Sequence, residues 1–170
     1  MSETLIQIVD EQDAPIKGGT MDEAQLGALW HRIARVVVFR DDNMILLQRL
    51  PENSFYYANC WNTTVSGHVD EGEDYSSAAV REGEEEVSVT FTDLEEVDYY
   101  AGSRVDGDRT YNRFNKTFKA VVSKSVEFRS NPDEVAELGW FSQDDLISLV
   151  SKHPDQVTDG LADFVTHVLK

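Results

Sequence analysis

Cysteine, proline and basic residues are all scarce in this chain: one Cys, four Pro and 15 Lys and Arg among 170 residues. The single thiol, Cys60, excludes an internal disulfide and favours a reducing, cytoplasmic setting. By itself it reads as a small buried apolar side chain. No apolar run approaches the ~20 residues that span a bilayer. Met1 to Asp10 has neither the basic start nor the apolar stretch of a signal peptide. Against 32 Asp and Glu, the basic residues leave a net charge of −17. Nonspecific attachment to nucleic acid or to an anionic membrane needs basic patches, so charge argues against both partners. An anionic small molecule would need a metal ion or a local group of Arg and Lys to approach. The apolar and charged fractions, 41% and 28%, are those of a globular chain, and the length suits one domain with a sizeable core.

Acid is what the chain has in plenty, and one stretch concentrates it: Gly67-His68-Val69-Asp70-Glu71-Gly72-Glu73, continuing to Arg81-Glu82-Gly83-Glu84-Glu85-Glu86-Val87-Ser88-Val89. Asp74 to Val87 contains no Pro and predicts a helix, with Glu73 and Asp74 at the end where free N–H groups favour negative charge. Ala79, Gly83 and Val87 recur at i, i+4, i+8, a narrow small-residue stripe that can press on a sheet. Glu82, Glu85 and Glu86 stand at i, i+3, i+4, so their carboxylates share a face and repel unless a cation compensates. A hard divalent ion, Mg²⁺ or Mn²⁺, takes such oxygen ligands together with substrate phosphates. Arg81 and Glu73 suit an ion pair tying loop to helix, and Gly67 and Gly72 permit tight turns beside a ligand. A solvated acidic face is the competing reading of the acidic triplet.

The whole spacing resembles the Nudix box: Gly, five residues, Glu, seven residues, Arg-Glu, an apolar residue, any residue, Glu-Glu, any residue, Gly, apolar. Gly67, Glu73, Arg81, Glu82, Glu85 and Glu86 occupy its fixed positions. At residue frequencies near 7%, chance would match them all roughly once in ten million starting points. Gly83 departs where an apolar residue is usual, at about 1 kcal/mol of helix propensity against Ala. Ser88 departs where Gly would form the easiest left-handed cap.

From about Ile6 to Leu146 the chain also resembles the Nudix subgroup that contains type I isopentenyl diphosphate isomerase. The likeness rests on Leu29-Trp30-His31-Arg32, Leu46-Leu47-Gln48-Arg49, Trp61-Asn62-Thr63, Glu134-Val135 and Trp140, in that order. The isomerase uses a Cys just before the box Gly-His and a Glu in the sheet to move protons at an allylic carbon. Here Ser66 holds the cysteine position, and Tyr111 to Phe118 contains no Glu. A hydroxyl lacks the acidity that such a step needs. His31 and His68 match two of the three His in the isomerase's metal site, with Ala24 at the third, and are the candidates for a second metal. The Lys that holds diphosphate in the subgroup is absent, Ser54 or Phe55 lying in its place.

These resemblances imply a Mg²⁺- or Mn²⁺-dependent hydrolase of a diphosphate linkage, such as a nucleoside diphosphate joined to another group. Isopentenyl diphosphate isomerase and a non-catalytic metabolite-binding module are the alternatives. Glu82, Glu85 and Glu86 would hold the metal and Arg81 would orient Glu73 and the helix. One of these three metal ligands, or a further acid, Glu134 ahead of Asp133 and Glu137, would act as general base. Gly67, His68, Arg49 and Glu73 are the substrate-binding candidates, with Arg113 and Lys116 as further phosphate partners. Tyr56, Tyr57 or Trp61 would stack on a base or pack in the core. The expected partner is a small-molecule diphosphate, and the family allows a homodimer.

The remaining pattern predicts strands at Leu5 to Val9, Ala14 to Gly19, Ile33 to Phe39, Met44 to Gln48, Trp61 to Val69, Val97 to Val105, Tyr111 to Val122 and Val135 to Phe141. Asp106-Gly107-Asp108 is a hairpin turn, Met21 to Leu29 a short helix or loop, and helices start at Ser142 and Val157. Strands with helices between and after them predict an α+β or α/β fold, a Nudix-type α/β/α sandwich on a mixed central sheet. One domain is expected, with an N-terminal strand and extension over 1–28, a core over 29–146 and a C-terminal helix over 147–170.

Overall fold

The computed structural model describes residues 4–170, so residues 1–3 of the expected extension lie outside it. Strand β3 (Trp30–Arg40) is the spine, and its stretch from Ile33 to Val38 is buried throughout. A strand so apolar must be covered on both faces. One of its edges is taken in turn by β1 (Ile6–Val9) at Trp30 and His31, by β6 (Val65–His68) at Ile33 to Val36, and by β4 (Ile45–Arg49) at Val38 and Phe39. The other edge runs parallel to β8 (Arg109–Val122) along its whole length. β2 (Pro15–Gly19) extends β1, β5 (Trp61–Asn62) and β9 (Glu137–Phe141) flank β4, and β7 (Glu95–Asp106) pairs with β8.

Alternation along β3 divides the core. Ala34, Val36 and Val38 face α2 (Tyr75–Val87) and pack with its Ala78, Ala79 and Val87. Val37 faces the other way, onto Leu146 of α3 (Gln143–Lys152) and Leu161 and Phe164 of α4 (Asp159–Phe164). Burying each such Val, Leu or Phe contributes roughly 1.5–3 kcal/mol. The result is the expected α/β/α sandwich with a mixed sheet. α1 (Met21–Leu26) closes the β1 end, capped by Thr20 and Glu23 in a reciprocal box.

Three of the departures from the expected boundaries have a local cause. Trp61 to Val69 is two strands, because Thr63 and Thr64 turn their hydroxyls onto the backbone. Thr64 Oγ1 accepts from Val38 N–H and donates to the Leu46 carbonyl, and Thr63 Oγ1 donates to the Val65 carbonyl. The last strand starts at Glu137, since the Val135 N–H is taken by the Asn131 carbonyl in a turn. The last helix starts at Asp159 behind a Thr158 cap and ends as a π turn over Val165–Leu169. The Asp-Gly hairpin turn forms as predicted, with Gly107 at φ +62°.

Candidate active site

Helix α2 carries the acids, and local chemistry fixes its ends. Asp74 is the N-cap and accepts from Ser77 N–H at 2.8 Å. At the other end Ser88 takes the left-handed conformation at φ +58°, and its N–H returns to the Gly83 carbonyl. Gly83 is explained by closeness: a Cβ there would lie 2.6 Å from the Phe91 ring. The Gly83 departure from the box pattern therefore serves the docking of the helix, while Ser88 takes the left-handed cap that Gly would form more easily.

Glu82 and Glu86, one turn apart, are both buried, at 9% and 6% exposure. With Glu134, from the segment before β9, they form a group whose carboxylate oxygens lie within 4.8 Å of one another. Glu86 accepts from the Gln48 side-chain amide and from the Ser66 backbone N–H, each at 3.1 Å. Burial pushes the carboxyl of Glu86 well above its ordinary value, with the Glu82 charge next in importance. Burial likewise raises Glu82, against the opposing pull of Arg81. Buried oxygens crowded this closely are stable as carboxylates only beside a cation, and their hard donor set fits Mg²⁺ or Mn²⁺. Glu85, expected among the ligands, lies outside this group: its half-exposed side chain is drawn to Arg81 at 3.3 Å.

Arg81 ties the loop to the helix. Its guanidinium forks onto Glu73 at 3.0 and 2.9 Å, reaches Glu82 at 2.7 Å and donates to the His68 carbonyl at 2.9 Å. These bonds hold Arg81 above its ordinary value and Glu73 below its own, through the Arg81 hydrogen bonds first. Glu73, expected to touch substrate, is thus occupied in positioning the loop. Gly67 is where the helix presses on β6, because a Cβ there would fall 2.0 Å from Glu82 Oε1.

The other face of β6 opens into two adjoining cavities of about 220 and 230 Å³, which share Arg35, Arg104, Tyr111, Arg113, Asp159 and Gly160. Ser66, Gly67, His68, Tyr56 and Tyr57 line the larger one. A single strand therefore separates the acids from an arginine-rich chamber. His68 and His31 stack at 5.5 Å between ring centroids. His31 is wholly buried, its Nδ1 at 3.2 Å from the Leu29 carbonyl and its Nε2 without a partner. Burial lowers His31 to about 4, and burial followed by the charges of His31 and Arg113 lowers His68 to about 3. The second metal expected at His31 and His68 finds no third ligand among the described residues, and the neighbouring guanidiniums repel a cation.

Other expected residues go elsewhere. Arg49 pairs with Glu137 at 2.7 Å, its cross-strand partner. Lys116 pairs with Glu96 at 2.9 Å over the rings of Tyr75 and Tyr99. Trp61 packs edge-on against Phe141. Tyr56, Tyr57 and Arg113 do reach the cavity. Sequence reasoning missed Gln48 at the acids and Arg35, Arg104 and Gly160 in the chamber. No helix is long and apolar enough to cross a membrane among the described residues.

Known proteins are similar to this chain in sequence and in fold. The chain is 30% identical to an isopentenyl-diphosphate Delta-isomerase of Ruegeria pomeroyi, over 85% of this chain and 81% of that one. It is 29% identical to an RNA pyrophosphohydrolase of Pelagibacter ubique, over 79% and 84% of the two chains. In structure it is similar to DR0079 from Deinococcus radiodurans, with a TM-score of 0.73 at 16% identity, covering 98% of this chain and 99% of that one. The NUDIX domain family matches residues 29–164, and this chain belongs to that family.

Proposed function

We propose that the protein is a divalent-metal-dependent hydrolase of a small-molecule diphosphate. The observation that carries this reading is the group formed by Glu82, Glu86 and Glu134, with an arginine-rich chamber on the opposite face of β6. Those three carboxylates would hold Mg²⁺ or Mn²⁺, which when bound neutralises diphosphate oxygens and orients water. Arg81 keeps Glu82 and the box loop in register, and Gln48 and Ser66 fix one Glu86 oxygen. Glu134, the exposed member, takes the proton of the attacking water. The chamber admits the rest of the substrate.

Isomerase chemistry is weakly supported despite the names of several relatives. It calls for acid–base groups at carbon, and the wall around Ser66 offers His68, Arg35 and Arg113 instead of a thiol and a glutamate. A metabolite-binding module without turnover would need no such group of acids.

The test is phosphate release with Mg²⁺ from a panel of nucleoside diphosphate derivatives and isopentenyl diphosphate, followed with a coupled phosphatase. Glu86→Gln is expected to lower kcat/KM by about 100- to 1000-fold. Allylic hydrogen exchange in isopentenyl diphosphate without phosphate release would replace the hydrolase reading with the isomerase.

A further inference from the structure

In a chain of net charge −17, two guanidiniums stand without a carboxylate partner among the described residues. Arg35, from the middle of β3, is 6% exposed, and its hydrogen bond goes to the neutral Asn115 Oδ1 at 2.8 Å. Arg113 lies on β8, on the same face of the sheet. The Nε atoms of both are buried and unpartnered. Among the described residues neither has an acidic oxygen within salt-bridge distance, although Asp159 and Asp163 share their cavities. Those two acids are already engaged: Asp159 accepts from Tyr57 and Arg104, and Asp163 from Tyr100. Burial lowers both arginines, and the Arg35 charge lowers Arg113 further.

A buried guanidinium beside a half-buried one of like charge opposes folding unless something answers them. The space is shaped for the guanidinium as well. A Cβ at Gly160 would lie 2.4 Å from Arg35 Nε, so the glycine leaves room for it. Tyr111 supports Arg113 from below, with the guanidinium carbon 4.7 Å from the ring centroid. The rest of the larger cavity wall sets aromatic and apolar side chains, Tyr56, Tyr57, Ile33 and Leu50, beside polar ones such as Asn62, Thr158 and Asp159.

We infer that Arg35 and Arg113 form a phosphate-binding subsite, which holds a phosphate oxyanion of the substrate on the face of β6 opposite the acids. Planar forks suit phosphate oxygens, and the charge-assisted bonds they form are strong. The substrate is then a phosphate compound whose aromatic or apolar remainder lies along Tyr56 and Tyr57. The inference deepens the hydrolase reading but does not depend on turnover.

Full-length protein in EDTA is titrated calorimetrically with inorganic phosphate, pyrophosphate and acetate, and its melting temperature is followed with each. Both phosphate ions should bind and raise the melting temperature, while acetate should do neither. Arg113→Gln is expected to weaken pyrophosphate by about 10- to 100-fold. Arg113→Lys should recover part of that loss, and circular dichroism checks that each variant is folded. The exposed Arg129→Gln should leave metal-free binding unchanged. No phosphate binding by the wild type, equal binding of acetate, or full binding by Arg113→Gln would overturn the subsite. If no compound is hydrolysed but metal-free binding still depends on Arg113, the subsite stands and the hydrolase reading falls.

Discussion

Glu82 and Glu86 reach their places through one turn of one helix, whereas Arg35 and Arg113 come from strands far apart in the chain and meet only across the sheet. The acidic wall is therefore a local feature, written in a spacing of four residues. The basic wall is a tertiary feature, written in the parallel register that sets His31 against Arg113 and Arg35 against Thr117. The two walls also answer their buried charge differently. The acids share Arg81, Gln48 and the Ser66 N–H, while the arginines are left to a ligand.

The separation of the two walls can be broken at Gly67, and this should give the largest effect. Gly67→Ala drives a methyl into the Glu82 carboxylate, which must leave its place against β6. Overpacking of this kind costs about 1–3 kcal/mol, and misplacing the acids should lower turnover by about 100-fold. Denaturant melts and steady-state kinetics on one preparation measure both. Normal turnover with normal stability would show that Glu82 does not need its place against β6.

A pH titration of stability sharpens the contrast, because the two walls should respond with opposite sign. His31 and His68, beside the arginines, fall from an ordinary 6.5 to about 4 and about 3. Below pH 6.5 the unfolded chain binds more protons at these sites than the folded one. Their contribution is thus complete above 6.5 and is lost as pH falls towards 4 and 3, each unit being worth about 1.4 kcal/mol. Glu86 is raised, so without metal its contribution is complete below the ordinary value and is lost as pH rises through the raised one. Melting temperatures in EDTA across pH 4 to 8 should show a shallower acid-side loss for His31→Gln and a shallower neutral-side loss for Glu86→Gln. Identical profiles for all three proteins would contradict both assignments.

The smallest expected effect lies at the helix end. Ser88→Gly relieves a left-handed residue that carries a Cβ, at a cost of about 1–2 kcal/mol per residue. The extra freedom of Gly when unfolded offsets part of that, leaving about 0.5 kcal/mol of added stability. Thermal melts against wild type measure it, and a loss of stability would mean that Ser88 makes a bond worth more than the strain.

What was legible in the sequence follows the same division. The box acids, the Arg81–Glu73 fork, the hairpin at Gly107 and the sandwich of helices on a mixed sheet all rest on short-range pattern. Glu134 was singled out, but its approach to Glu82 and Glu86 depends on how the segment before β9 returns over α2. Glu85 looked equivalent to Glu86 because a helical wheel shows which residues share a face, and it does not show how deep each one sits. Arg49 and Lys116 looked like phosphate partners until cross-strand neighbours claimed them. Arg35 gave no signal, since a lone Arg inside Ile33 to Val38 reads as an interruption of an apolar run.

The crowded edge of β3 sets an order of assembly. Its neighbours β1, β6, β4 and β8 lie on both sides of it in the chain, and the Arg35–Asn115 bond closes a separation of 80 residues. Gly160 and Asp159 are added later still, from α4. Contacts over such separations form late, because the loops they close must be ordered first. The box helix can cap and begin to coil as soon as it is made, but the chamber beside it has no walls until nearly the whole chain has emerged. Each nascent chain therefore holds its acids well before it can discriminate among the compounds they would act on.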